Sequence, residues 1–230
     1  MDFAGMQSLT LLDFPGKVAC ILFVQGCNLR CPFCHNASLV RGSEENLYPE
    51  ADVLAFLQKR QGLLDGVVIS GGEPLLYPQL LPFLKKVRQL GYAIKVDING
   101  TKPDLLEKIV SEGLADYVAM DIKNSPAFYA ATTGIPKPDI AAVDRSRDFL
   151  MSGIVDYEFR TTVVKGLHTK ESIAELSIWI AGAKRYFLQG FKDSGSLLSP
   201  SNLSAFDEEE MQELLEIAKI HTPNTQLRGI

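Results

Sequence analysis

Six short apolar runs, each followed by an amphipathic stretch, set the tightest limit on how this chain can fold. The runs cover residues 18–25, 66–70, 93–99, 117–122, 158–164 and 185–189, are rich in Val, Ile and Phe, and are bounded by Gly, Pro, Asn or Asp. Runs of that length and composition are strands. Between them, over 51–61, 78–90, 103–112, 140–151 and 170–182, apolar residues recur three and four apart, the spacing of a helix with one buried face. A closing helix is expected over 206–220, where Asp207 and three glutamates crowd the first turn and complement the helix dipole. Strand–helix alternation builds βαβ units, and these give a mainly parallel sheet with helices outside. Six strands fall short of the eight of a closed barrel, and no dinucleotide fingerprint follows the first strand. The expected fold is α/β, an open partial (β/α)6 barrel, with a flat doubly wound sheet as the alternative. One domain is expected across residues 1–230, its core spanning about 16–195. In either fold, function gathers at the C-terminal ends of the strands.

The 230 residues are 46% hydrophobic and 22% charged, enough to bury a core without covalent staples. The net charge of −5, with no long run of one sign, offers nothing to nucleic acid or an anionic membrane. No stretch approaches the roughly 18 apolar residues of a membrane span. Asp2 and Asp13 interrupt the opening segment, which does not read as a signal peptide. A cytoplasmic protein is expected. Three of the four cysteines fall within eight residues, and clustered thiols in a reducing compartment point to metal rather than to disulfides.

Those thiols follow the first strand as Cys27-Asn28-Leu29-Arg30-Cys31-Pro32-Phe33-Cys34, a C-x3-C-x2-C spacing. Soft thiolates this close suit an iron–sulfur cluster or zinc. In a cluster of four irons, three cysteines leave one iron open to a small molecule. The zinc alternative would need His35 as fourth ligand. Zinc modules normally draw on two separated pairs, and a histidine directly after Cys34 reaches the same ion with difficulty. Cys20, among apolar neighbours, reads as a small core residue. His168 and His221 have no ligand-like spacing.

With an aromatic residue, Phe33, before its last cysteine, the loop resembles the signature of radical S-adenosylmethionine enzymes. Its continuation Cys34-His35-Asn36 is similar to the activating enzymes of glycyl-radical enzymes. The resemblance implies a 4Fe-4S cluster on Cys27, Cys31 and Cys34, with the methionine amine and carboxylate of S-adenosylmethionine chelating the open iron. It implies an external one-electron donor, cleavage of the sulfonium to a 5′-deoxyadenosyl radical, and Phe33 near the adenine.

The other strand ends carry polar groups too. Gly71-Gly72-Glu73-Pro74 follows the second strand. By itself it could be a turn, although two glycines also let a backbone approach a ligand closely. The resemblance makes it the site for the methionine ammonium group. The third strand ends in Asp97-Ile98-Asn99 and the fourth in Asp121-Ile122-Lys123. Carboxylates beside apolar strands need partners, and Lys123 is the nearest in sequence; an ion-pair network alone would account for the set. The resemblance instead turns Asp97, Asn99, Asp121 and Lys123 toward S-adenosylmethionine and implies a monovalent cation beside it, although Ile98 stands where a threonine is expected. It brings Arg160 of the fifth strand to the carboxylate or ribose, and Val163 or Val164 to the adenine. No histidine stands near Gln189, unlike in pyruvate formate-lyase activases.

The resemblance extends over a leader (residues 8–17), the cysteine loop and the stretches 62–74, 117–123 and 157–168. Together these are most similar to activating proteins of anaerobic ribonucleoside-triphosphate reductase, in which the adenosyl radical takes a hydrogen atom from a backbone glycine of the partner. Two alternatives stay open: a radical enzyme acting on a small molecule in cofactor biosynthesis, and a non-catalytic metal-binding or electron-transfer module. Little sequence lies outside the βα units to build a dedicated pocket, and an open barrel mouth would admit a loop of another protein.

Overall fold

All six expected strands form, and they lie side by side in chain order. The computed structural model describes residues 1–42, 47–193, 195–199 and 202–230. Its strands are β1 (Gly5–Thr10), β2 (Ala19–Val24), β3 (Gly66–Gly71), β4 (Ala93–Ile98), β5 (Tyr117–Asp121), β6 (Asp156–Val163), β7 (Tyr186–Gly190) and β8 (Thr225–Arg228). They make one sheet in the order β1 to β8. β1 runs antiparallel to β2, and every later pair is parallel. This order decides between the two expected folds. A doubly wound sheet reverses its strand order at a switch point and so sends helices to both faces. Here the strands advance in chain order without a reversal, so the helices collect on one face and the sheet curls around the other. The result is an open partial barrel edged by β1 and β8.

Two strands add to the six. β1 reads Gly-Met-Gln-Ser-Leu-Thr and is mostly exposed, and β8 is only four residues long, so neither carries an apolar run. β8 comes after the closing helix, which extends the sheet beyond the expected core limit near residue 195. The helices are α1 (Ala37–Arg41), α2 (Glu50–Lys59), α3 (Leu80–Gln89), α4 (Pro103–Ser111), α5 (Tyr129–Thr133), α6 (Ile140–Met151), α7 (Lys170–Trp179) and α8 (Glu208–Lys219). α8 starts where its charges imply: Asp207 and Glu210 each accept the other's backbone N–H at 2.9 Å. Among the described residues no helix is long and apolar enough to cross a membrane.

Alternation along the strands divides the interior in two. Outward residues such as Leu22, Ile69, Val96 and Met120 join helix residues such as Leu57 and Phe83 in the main core. Cys20 belongs to that core as well, and burial pushes its thiol up to about 12. Inward residues are apolar only at the floor of the barrel, where Phe14, Ile21, Val68 and Tyr117 pack together. Phe14 comes from the β1–β2 turn, and Gly66 makes room for it: a Cβ there would lie 2.9 Å from its ring. Higher up the inner face turns polar. Buried Glu158 accepts hydrogen bonds from Tyr117 Oη at 2.9 Å and from Arg228 Nη1 at 3.0 Å, so the unforeseen β8 supplies a counter-charge.

The main core sets the stability. Phe83 is fully buried, its ring centroid 4.8 Å from that of Phe3. Phe83→Ala is expected to lower the free energy of urea unfolding by about 3–5 kcal/mol.

Candidate active site at the barrel mouth

Because β2 to β6 are parallel, their C-terminal ends share one rim, and the polar strand ends converge there. One cavity is lined by twelve of the residues singled out in the sequence, Cys27, Cys31, Cys34, Phe33, Gly71, Gly72, Glu73, Asp97, Asn99, Asp121, Lys123 and Arg160, but not by Val163 or Val164. Ser70 and Thr162 line it too.

The cysteine loop leaves β2 and is tied down along its length. Gly26 N donates to Leu39 O at 2.7 Å and Arg30 N to Thr133 O at 2.8 Å. Ser199 N donates to Pro32 O at 2.9 Å and Leu198 N to Cys34 O at 3.2 Å. Leu29, Cys31 and Phe33 bury themselves against Val164, Phe191 and Leu197. Of the two valines considered for the adenine, Val164 therefore packs with the cysteine loop, whereas Val163 faces the main core. The His35 ring stacks on Phe191 with centroids 5.5 Å apart. Among the described residues no group of three or more His, Cys, Asp and Glu side chains is already arranged to hold a metal ion, neither the three thiols nor a four-donor set with His35.

The two glycines after β3 serve the chain itself. Gly72 N donates to Val24 O at 2.9 Å, and Glu73 N to Gly26 O at 2.8 Å. At that approach there is no space for a side chain, since a Cβ on Gly72 would fall 1.8 Å from Gly26 O. Gly71 (φ +108°) would put a Cβ 2.6 Å from the Val24 backbone. The sequence reading assigned this freedom to ligand approach; its first use is to lock the β3 turn onto the cysteine loop. Glu73 extends the clip. Its Oε1 accepts from Leu75 N at 3.0 Å and its Oε2 from Asn99 N at 2.7 Å, which fixes the end of β4. Asn99 then donates through Nδ2 to Asn28 Oδ1 at 2.9 Å and to Cys27 Sγ at 3.8 Å. Leu29 N also donates to that sulfur, at 3.4 Å.

The acidic strand ends have more partners than Lys123. Asp97 accepts from Lys95 Nζ at 2.7 Å and Ser70 Oγ at 3.0 Å, and Arg160 Nη1 lies 3.4 Å away. Asp121 accepts from Arg160 Nε at 2.9 Å and from Lys123 Nζ at 3.0 Å. Burial alone would raise the Asp121 carboxyl, but Arg160 and Lys123 outweigh it and hold it at about 2. Lys95 escaped the sequence reading, although its place two residues before Asp97 puts both on one face of β4. His168 escaped it too. Its Nδ1 accepts from Val164 N at 3.1 Å, which leaves Nε2 to donate to Lys123 O at 2.8 Å. That link ties the turn after β6 to the end of β5, and nothing in the local sequence announces it.

The sequence matches the radical SAM superfamily over residues 21–175. The chain belongs to that superfamily. A protein of Methanocaldococcus jannaschii, named as a glycyl-radical enzyme activating enzyme, is 28% identical over 99% of this chain and 95% of its own. A pyruvate formate-lyase-activating enzyme of Clostridium pasteurianum is 32% identical over 52% of this chain and 51% of its own. A 7-carboxy-7-deazaguanine synthase of Koribacter versatilis is 28% identical over 91% of each. Among solved structures, a radical SAM methyltransferase from Sphaerobacter thermophilus shares the fold with a TM-score of 0.74 at 12% identity, over 96% of this chain and 68% of that one.

The superfamily implies a 4Fe-4S cluster and S-adenosylmethionine, and the thiols of this radical SAM protein have the donor chemistry that the cluster needs. Three thiols stand on one loop, the fourth lies apart in the main core, and the Cys27 sulfur already accepts two hydrogen bonds of the kind that steady a cluster thiolate. Burial pushes Cys31 up to about 12 and raises Cys27, so metal binding must displace their protons.

Two outcomes follow from the clip. Gly72→Ala is expected to lower both folding stability and the iron taken up on anaerobic reconstitution; native values of both would mean that the backbone yields there at little cost. Burial pushes Glu73 from an ordinary 4.5 up to about 7. Between those values the folded state holds this proton more tightly than the unfolded state, so the contribution of Glu73 to stability falls as pH rises through that window. Glu73→Gln should therefore gain relative to wild type when chemical unfolding is repeated at about pH 8 instead of about pH 5.

Proposed function

We propose that this radical SAM protein is an activating enzyme that generates a glycyl radical on a partner, and that the partner is anaerobic ribonucleoside-triphosphate reductase. The observation that carries this reading is one cavity uniting the cysteine loop with four further strand ends, open at the barrel mouth. Support comes from the relative named for glycyl-radical enzyme activation, which aligns along nearly the whole chain. The choice of reductase rests on the resemblance of the leader and of the later strand stretches.

In this reading Cys27, Cys31 and Cys34 would hold the cluster. When bound, a reduced cluster and S-adenosylmethionine would together supply one-electron chemistry able to remove a hydrogen atom from carbon. The chain's own residues have no proton to move in that transfer; they position ligands and exclude water. Arg160 and Lys123 present positive charge to a carboxylate, while Phe33 offers an apolar surface. Glu73 and Asn99 hold the rim to the cysteine loop.

A second reading has its own support. The full-length similarity to 7-carboxy-7-deazaguanine synthase favours a small-molecule substrate. One experiment separates the two. Reduced, cluster-loaded protein with S-adenosylmethionine and the reductase is expected to give a glycyl radical signal in electron paramagnetic resonance. Absence of a signal alongside full cleavage of S-adenosylmethionine would favour the small-molecule reading, and a signal with a different glycyl-radical enzyme would change the partner. Anaerobic reconstitution is expected to give about four irons per chain. Alanine at Cys27, Cys31 or Cys34 should abolish cleavage of S-adenosylmethionine, and Cys20→Ala should retain it.

A further inference from the structure

The resemblance that implies S-adenosylmethionine also implies an inorganic monovalent cation beside Asp97 and Asp121. Such an ion is drawn to negative charge that no other positive group has met, and here each of the four carboxylate oxygens is already engaged. Asp97 Oδ1 is taken by Lys95 Nζ at 2.7 Å, and Oδ2 by Ser70 Oγ at 3.0 Å with Arg160 Nη1 at 3.4 Å. Asp121 Oδ1 is taken by Arg160 Nε at 2.9 Å and Oδ2 by Lys123 Nζ at 3.0 Å. Ile98, between the acids on the rim, has no side-chain oxygen. Two carboxylates thus face three protein cations before any ion is added. Ionised Glu73 brings the group to neutrality and no further.

Sheet geometry explains why Lys95 is held there. The register sets it beside Val68 of β3 and Tyr117 of β5, both buried on the inner face. Lys95 is 1% exposed. A lysine is almost never buried that deeply without a partner, since desolvating an ammonium costs more than packing its stem returns. Below Asp97, Val68 and Tyr117 flank the Lys95 stem and the buried Glu158 is paired with Arg228, and the ammonium is paired with Asp97.

We propose that Lys95 stands in for the inorganic cation: this chain carries the counter-ion on its own β4, and the acid pair neither needs nor admits potassium or sodium. The proposal takes S-adenosylmethionine from superfamily membership and does not depend on which partner or substrate is used.

The test compares cluster-loaded protein in potassium, sodium and choline chlorides at one ionic strength, choline being too large to sit between the two acids. Thermal unfolding and equilibrium binding of S-adenosylmethionine are read in each salt. Wild-type protein is expected to melt alike in all three and to bind with affinities within about threefold of one another. A higher melting midpoint or a larger gain in affinity with potassium or sodium overturns the proposal. Lys95→Met keeps the stem but frees an Asp97 oxygen, and in this variant potassium or sodium should raise the midpoint and strengthen binding by about tenfold over choline. A folded variant indifferent to the salt would remove Lys95 from the role. If the variant does not fold, the wild-type comparison still decides. If no S-adenosylmethionine binds in any salt, the cofactor reading is at fault, and the melting comparison decides the counter-ion by itself.

Discussion

The site depends on one crossing of backbones. Where β2 gives way to the cysteine loop and β3 to its turn, Gly72 and Glu73 donate to Val24 and Gly26 across a gap that admits no side chain. Without this contact the thiols would sit on a loop anchored only by its far end and by neighbouring turns. With it, the loop shares the rigidity of the two central strands. Glu73 passes that rigidity to β4 through Asn99 N, and Asn99 passes it back to Asn28 and Cys27. The rim is thus a closed circuit of hydrogen bonds, and the glycines earn their place by steric need as much as by any ligand.

The inner face of the barrel poses the opposite problem, too much charge in too little water. Isolated ions there would be prohibitive; the strand charges are met by counter-charges, and Glu73 on the rim by the backbone N–H groups of Leu75 and Asn99. Lys95, Asp97, Arg160, Asp121 and Lys123 form one chain of alternating sign across three strands. Glu158 and Arg228 form a second pair nearer the floor. These pairs contribute little net stability. They fix side chains in one arrangement, which is what a site that orients a polar ligand requires.

Much of this was legible in the sequence because its signals were local. Alternation of period gave the βα units, cysteine spacing gave the metal loop, and strand-end polarity gave the residues that meet at the mouth. What stayed hidden was either too short or too distant. β8 has four residues and no apolar run, so its pairing with β7 depends on α8 returning the chain to the sheet edge. His168 reaches the Lys123 carbonyl across 45 positions of sequence, and no spacing rule reports such a bond. The backbone clip through Gly72 stayed hidden for the same reason, because the atom that forbids a side chain there belongs to Gly26. Lys95 was within reach, since a charge two residues before Asp97 on a buried strand already implies a shared face.

The floor built from Phe14, Ile21, Val68 and Tyr117 lies beneath these charges. The register that sets Lys95 beside Val68 and Tyr117 couples the charged rim to that apolar packing. An aromatic ring from the first turn of the chain thus helps to position groups that act at the far ends of the strands.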